Sequence, residues 1–154
     1  MAKRCFNCKS TDLHEVEYED SLSVAGHNFT RTLPAARCAK CGEQTISGEA
    51  IGTFEVEVAA ELARHGEASA ESFCFMRRAL GVKALDLADL LDVTPETVSR
   101  WEHDRQRIDR GAAALLSAMV LDRIEGHTKT LDRLRALREP TPLPQLVRLV
   151  PRVA

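Results

Sequence analysis

At 154 residues, with 44% hydrophobic and 29% charged side chains, the chain is globular in composition and long enough for one ordinary domain or two small ones. Its formal net charge of −2 supplies no overall basic field to attract nucleic acid. There is no run of about 18 apolar residues to cross a membrane, and Met1-Ala2-Lys3-Arg4-Cys5 lacks the apolar stretch of a secretion signal. The expected compartment is therefore the cytoplasm, where thiols stay reduced and paired cysteines point to metal or redox chemistry.

Residues 1–47 hold four of the five cysteines, as two pairs. Between the pairs Val16, Tyr18, Leu22, Val24 and Phe29 alternate loosely with polar residues, and Ala25-Gly26-His27-Asn28 breaks the pattern as a hairpin turn. Over 48–65 the recurrence of Ile51, Phe54, Val58 and Leu62 predicts a helix that stops at Gly66. Gly66 to Ala70 reads as a short linker. Residues 71–127 read as consecutive short helices. Phe73, Phe75, Met76 and Leu80 mark the first, with Gly81 at its stop, and Leu85, Leu87, Ala88, Leu90 and Leu91 the second. Thr94-Pro95 opens the third, with Thr as cap and Pro in the first turn. Asp109 caps a fourth helix, which carries Ala112 through Ile124 and stops near Gly126. Leu131, Leu134 and Leu137 predict one more short helix, and the tail from Glu139, with prolines at 140, 142, 144 and 151, reads as extended or disordered. The only sizeable basic bias falls on residues 128–154, with 6 basic and 2 acidic side chains; residues 1–67 hold 7 and 11.

Cys5-x-x-Cys8 and Cys38-x-x-Cys41 are separated by 29 residues. Each two-residue gap lets a tight turn aim two sulfurs at one point, and the hairpin between the pairs can bring them together as a tetrahedron of thiolates around zinc. A redox dithiol needs one such pair, usually at a helix N-terminus, and fits two pairs with strand-like flanks poorly. A complete four-sulfur shell leaves no open position, which argues for structural rather than catalytic zinc. Metal binding also supplies folding energy to a segment with little core of its own. His14, His27 and His65 are spare ligands, each read as a solvated side chain, and Cys74, in an apolar helical run, is read as a buried small hydrophobe.

Between Val82 and Trp101 two short helices meet at Leu91-Asp92-Val93-Thr94. Asp92 stands where a helix-turn-helix needs a residue tolerant of left-handed backbone. Ala88 permits close approach of the helices, and Val98 and Trp101 face the core. Glu96, Thr97, Ser99, Arg100 and His103 are left on the outer side, the kind of face a recognition helix offers to base edges. Arg105 and Arg107 follow in the next loop, within reach of phosphates.

Val82 to Ile108 resembles the helix-turn-helix of the lambda-repressor/Cro type, through Leu87-Ala88-Asp89-Leu90-Leu91-Asp92-Val93-Thr94 and Thr97-Val98-Ser99-Arg100-Trp101-Glu102. The layout of residues 5–125 resembles MqsA-type (YgiT-type zinc finger) antitoxins, in which two Cys-x-x-Cys pairs precede a linker helix and this helix-turn-helix. The resemblance implies a two-domain regulator. Its zinc domain would neutralise a partner toxin, typically a ribonuclease, and its C-terminal domain would dimerise and repress its own operon. In that family an Asn early in the recognition helix and an Arg four residues later share base reading. Arg100 stands at the Arg; Glu96 stands at the Asn, where it can accept from cytosine and cannot make the adenine pair. The helix-capping Ser or Thr usual before the second helix is replaced near Lys83.

The expected fold is α+β: a small zinc-ribbon-like β domain with its linker helix over 1–67, then an all-α five-helix helix-turn-helix domain over 68–127, followed by a short helix and proline-bearing tail over 128–154. Expected partners are double-stranded DNA, a ribonuclease-like toxin on the N-terminal domain, and a second copy of the chain. The homodimer is inferred from the nearly all-round apolar surface of the fourth helix, Ala112 to Ile124. The alternative is a stand-alone zinc-stabilised transcription factor with no toxin partner. No nucleophile–base constellation, phosphate-binding glycine loop or Glu beside a metal-binding His suggests an enzyme.

Overall fold

The computed structural model describes residues 4–142 and 144–147. Strands β1 (Leu13–Val24) and β2 (His27–Cys38) form a long antiparallel hairpin, and β3 (Gln44–Ile46) adds to the far edge of β2 against Ala35–Arg37. The turn is tighter than the sequence suggests. Ala25 and Gly26 alone make it, at φ 52° and 78°, and His27 and Asn28 already belong to β2. Two successive positive φ values match the right-handed twist of the flanking strands.

Among the described residues six helices follow: α1 (Gly48–Arg64), α2 (Ala70–Ala79), α3 (Ala84–Leu90), α4 (Pro95–Glu102), α5 (Arg110–Ile124) and α6 (Lys129–Arg138). Ser47, Ser69, Thr94 and Asp109 cap α1, α2, α4 and α5 by accepting a backbone N–H three residues on. Lys83 precedes α3 and supplies no such bond. Asp92 takes left-handed backbone at φ 54°, as the sequence reading requires, and Asp104 does the same at 53°. Behind each, an N–H reaches back five residues to close the helix: Val93 to Ala88 (3.0 Å) and Arg105 to Arg100 (2.8 Å).

Two apolar clusters share α1. Phe54, Val58 and Leu62 lie on one face of it and pack with Val24 and Leu33 of the hairpin. Ala59, Ala60 and Ala63 lie on another face and pack with Phe73, Met76, Leu87, Val98, Trp101, Leu116 and Val120 of the helical region. The spacing of four residues repeats on each face, shifted by one or two positions, so one helix presents two stripes. Phe75 of α2 is also packed against both clusters. The corner from α1 to α2, read from sequence as a linker, is tied by two hydrogen bonds through Glu67. Glu67 N–H donates to the Leu62 carbonyl (2.9 Å), and Glu67 Oε1 accepts from Ser69 N–H (3.0 Å). That Ser69 amide holds the Glu67 carboxyl below the usual carboxylate range.

The apolar excess of α5 is largely taken up within the chain. It packs against α1, α2 and α6, and none of its large apolar side chains is exposed. Helix α6 exists where Leu131, Leu134 and Leu137 predict it, with Leu134 buried and Leu137 exposed. Arg138 ties its end to the Asp89 carboxylate of α3 (2.6 Å). The described part of the tail, 139–142 and 144–147, has no helix or strand; Pro151 lies outside the described residues.

Candidate functional site

Both cysteine pairs sit in loops of one design. In the first, Lys9 N–H donates to the Cys5 carbonyl (3.0 Å) and Cys5 N–H to the Ser10 carbonyl (2.8 Å). In the second, Gly42 N–H donates to the Cys38 carbonyl (2.9 Å) and Cys38 N–H to the Glu43 carbonyl (2.9 Å). The residue after each second cysteine is left-handed, Lys9 at φ 61° and Gly42 at 76°. The hairpin absorbs the long separation between the pairs: its register pairs Leu13 with Cys38, and Ala39 N–H donates to the Asp12 carbonyl (3.1 Å).

The four sulfurs converge. Cys5 Sγ lies 3.6 Å from Cys41 Sγ, Cys8 Sγ lies 3.5 Å from Cys38 Sγ, and all four fall within 4.8 Å of one another. An ion bound tetrahedrally at about 2.3 Å separates its sulfurs by about 3.8 Å, so the cluster already has the dimensions of a metal site. Cys5 and Cys38 are buried and Cys41 is at the surface. Thiols this close cannot all ionise without a cation. The Cys41 backbone N–H holds the Cys38 thiol down to about 7, against the effect of burial. Cys41 accepts a backbone hydrogen bond from Glu43 that lowers it, yet the water lost from around its sulfur and the crowding by the sulfurs of Cys8, Cys5 and Cys38 push it up to about 12.

Among the described residues no histidine joins this cluster. His14 lies exposed beside Asp12 (3.2 Å), and His65 Nδ1 sits 2.9 Å from the Glu61 carbonyl oxygen. Cys74 is half-buried rather than buried, because α2 turns it toward a surface groove with Leu22 and Glu102; burial pushes its thiol up.

On α4, Val98 and Trp101 are buried, and Trp101 meets Phe73 edge-on at 5.8 Å between ring centroids. Glu96, Ser99, Arg100 and His103 are exposed at the spacing of a single helical face. Thr97, grouped with them from sequence, is half-buried. Its N–H donates to Thr94 Oγ1 (3.2 Å), with the two hydroxyl oxygens 3.0 Å apart, so it serves the cap. Arg105 and Arg107 are exposed in the loop after α4. Among the described residues none of Arg100, Arg105 and Arg107 enters an ion pair.

Sequence reasoning missed what holds α4 in place. Arg77 of α2 grips the Glu102 carboxylate with two nitrogens (2.5 and 3.0 Å) and donates from a third to the Val82 carbonyl (2.7 Å). Both side chains are about nine-tenths buried. The guanidinium therefore joins α2, the connection that leads into α3, and the end of α4. A charged residue directly after Met76, in an otherwise core-facing run, is the only trace of this in the sequence.

Compared with models of protein families, with curated proteins and with solved structures, the chain matches none of them.

Proposed function

We propose that this chain is a cytoplasmic, DNA-binding transcriptional regulator in which zinc, held by Cys5, Cys8, Cys38 and Cys41, organises the sheet. We propose further that it acts as the antitoxin of a toxin–antitoxin pair, repressing its own operon and neutralising a ribonuclease-like partner. The observation that carries the DNA reading is the α3–α4 pair. A tight left-handed turn at Asp92 sets two short helices against each other, and a buried ion pair fixes the end of α4. The outer face of α4 then presents Glu96, Ser99, Arg100 and His103, and among the described residues the Arg100 guanidinium enters no ion pair. The antitoxin part is carried by the resemblance of the cysteine spacing and chain layout.

In this reading Arg100 reads bases from the major groove, with Glu96 and Ser99 beside it, Thr97 buttresses the helix start, and Arg105 and Arg107 contact phosphates. Two copies bind a two-fold operator whose half-sites lie about 34 Å apart or a multiple of it. Binding to operator and scrambled DNA across a salt series tests this. Arg100→Ala should cost about 1–3 kcal/mol and relax preference at one position per half-site. Arg107→Ala should weaken all sequences alike and lower the salt slope by about one per site. If neither change alters binding, α4 is not a recognition helix. Sedimentation of the full chain tests the pairing of two copies.

A further inference from the structure

Beside the hairpin turn, where the start of β2 meets the corner from α1 to α2, lies a cavity of about 340 Å³. That size falls among small-molecule sites. Buried Leu62 and half-buried Phe29 give it an apolar side, and the His27 ring meets Phe29 edge-on at 6.5 Å between centroids. Its polar side comes from His27 and Asn28 of β2, Glu61 and His65 at the end of α1, and Glu67 of the corner.

Hydrogen bonds within the chain use up donors here and leave acceptors. His65 Nδ1 donates to the Glu61 carbonyl (2.9 Å), so the lone pair of the neutral ring sits on Nε2. Glu61 Oε1 accepts from Arg64, and Glu67 Oε1 accepts from the Ser69 N–H (3.0 Å) and the Ser72 hydroxyl (3.4 Å). Among the described residues neither Glu61 Oε2 nor Glu67 Oε2 accepts a hydrogen bond. Asn28 accepts from Ser23 through its oxygen and keeps an amide donor. The carbonyl end of α1 also lies here, and its macrodipole favours positive charge. Arg64 offsets Glu61, and no cation is paired with Glu67 among the described residues. Such a lining calls for a ligand rich in donors and positively charged. It is too wide for one metal ion: among the described residues only the four cysteines bring three or more ligand atoms within 4.8 Å of one another.

We propose that this cavity binds a small organic cation, a primary ammonium or guanidinium on an apolar body, with the charged head against Glu67 and Glu61 and the body on Phe29 and Leu62. The ligand touches the sheet and the α1–α2 corner at once. The proposal rests neither on the metal nor on DNA binding.

The test titrates the full chain with tyramine, an ammonium, and with agmatine, which adds a guanidinium, and follows the backbone amides by NMR. The amides of residues 26–29 and 61–67 should shift with at least one of the two. 4-Hydroxyphenylacetate has nearly the body of tyramine with the opposite charge and should move none of them. The dissociation constant should rise at least about tenfold in Glu67→Gln and also rise in Glu61→Gln. Glutamine at 67 keeps an oxygen for the Ser69 N–H, so the corner stays tied, and the exposed Glu61 can be changed without unfolding α1. Glu125→Gln, exposed at the end of α5, should bind as the parent does. No shift with either cation at millimolar concentration, shifts centred on other residues, equal binding of the anion, or a dissociation constant unchanged in Glu67→Gln would each overturn the proposal.

Discussion

The hairpin and the helical region solve the problem of stability by opposite means. The hairpin contributes two buried side chains, Val24 and Leu33, to a cluster whose other three members come from α1. The helical region assembles a cluster of twelve buried residues, three of them from α1. The first therefore rests on a borrowed helix and, in the proposed reading, on an ion held by the four cysteines, the second on apolar packing, and α1 is the part both need. A small sheet can be long and nearly coreless provided that its open end is clamped by a metal.

Removing the metal attacks one side of this contrast and should have the largest effect. Structural zinc contributes about 10–16 kcal/mol in apparent terms to zinc-finger peptides, far more than the hairpin's two core side chains can replace. Cys38→Ser, or chelation, should abolish near-stoichiometric zinc and open residues 4–46 to protease while α2–α6 keep their helicity; a metal-free chain with a protease-resistant hairpin would refute this. Acid should do the same, because thiolates must be protonated to release the ion. Conversely, zinc uptake near neutral pH must expel the proton of Cys41, whose metal-free thiol stands at about 12, and should acidify a weakly buffered solution.

Phe73→Ala attacks the other side. Phe73 is fully buried against Trp101, so a loss of about 3–5 kcal/mol is expected in denaturant melts. Because Ala59, Ala60 and Ala63 would lose their floor, the hairpin should loosen with the helices. Independent melting of the two regions in this variant would show that α1 does not couple them. For the same reason a helical fragment starting at 68 should fold poorly, and one starting at 48 well.

Arg77→Ala leaves the Glu102 carboxylate buried and uncompensated, at a cost of about 3–5 kcal/mol. Replacing both by apolar residues of similar size should recover most of that stability. If DNA discrimination is lost in the double variant while stability returns, the pair serves the placement of α4 rather than the fold. The smallest effect, of opposite sign, is expected at Lys83. Lys83→Thr supplies the missing cap of α3 and should stabilise the helical region by about 1 kcal/mol, seen as a higher midpoint with unchanged slope.

The features legible in the sequence were those encoded by neighbours along the chain. The Cys-x-x-Cys turns, the caps Thr94 and Asp109, the left-handed Asp92 and the buried pair Val98 and Trp101 all depend on spacings of a few residues. What stayed hidden depends on which elements meet. The Arg77–Glu102 pair joins residues far apart in sequence, and nothing local tells a paired buried arginine from a solvated one. The apolar surface of α5 shows that neighbours exist but does not say whether they lie in the same chain, and three of them do. The periodicity of α1 displays its Phe54–Val58–Leu62 stripe, whereas its alanine stripe resembles the filler of any helix.

The chain holds one tryptophan and one tyrosine, and the fold has assigned them to different halves. Trp101 is buried on the inner side of α4, and its indole nitrogen has no hydrogen-bond partner among the described residues. Tyr18 lies exposed on the hairpin, paired with Leu33. Their absorption bands differ, so each half carries its own optical label without any dye. A shift of indole emission to longer wavelength reports the unseating of α4, and a change in phenol fluorescence or absorbance reports the sheet. Titrating zinc or DNA into the unmodified chain thus yields two simultaneous traces, and the order of their midpoints would reveal which half responds first.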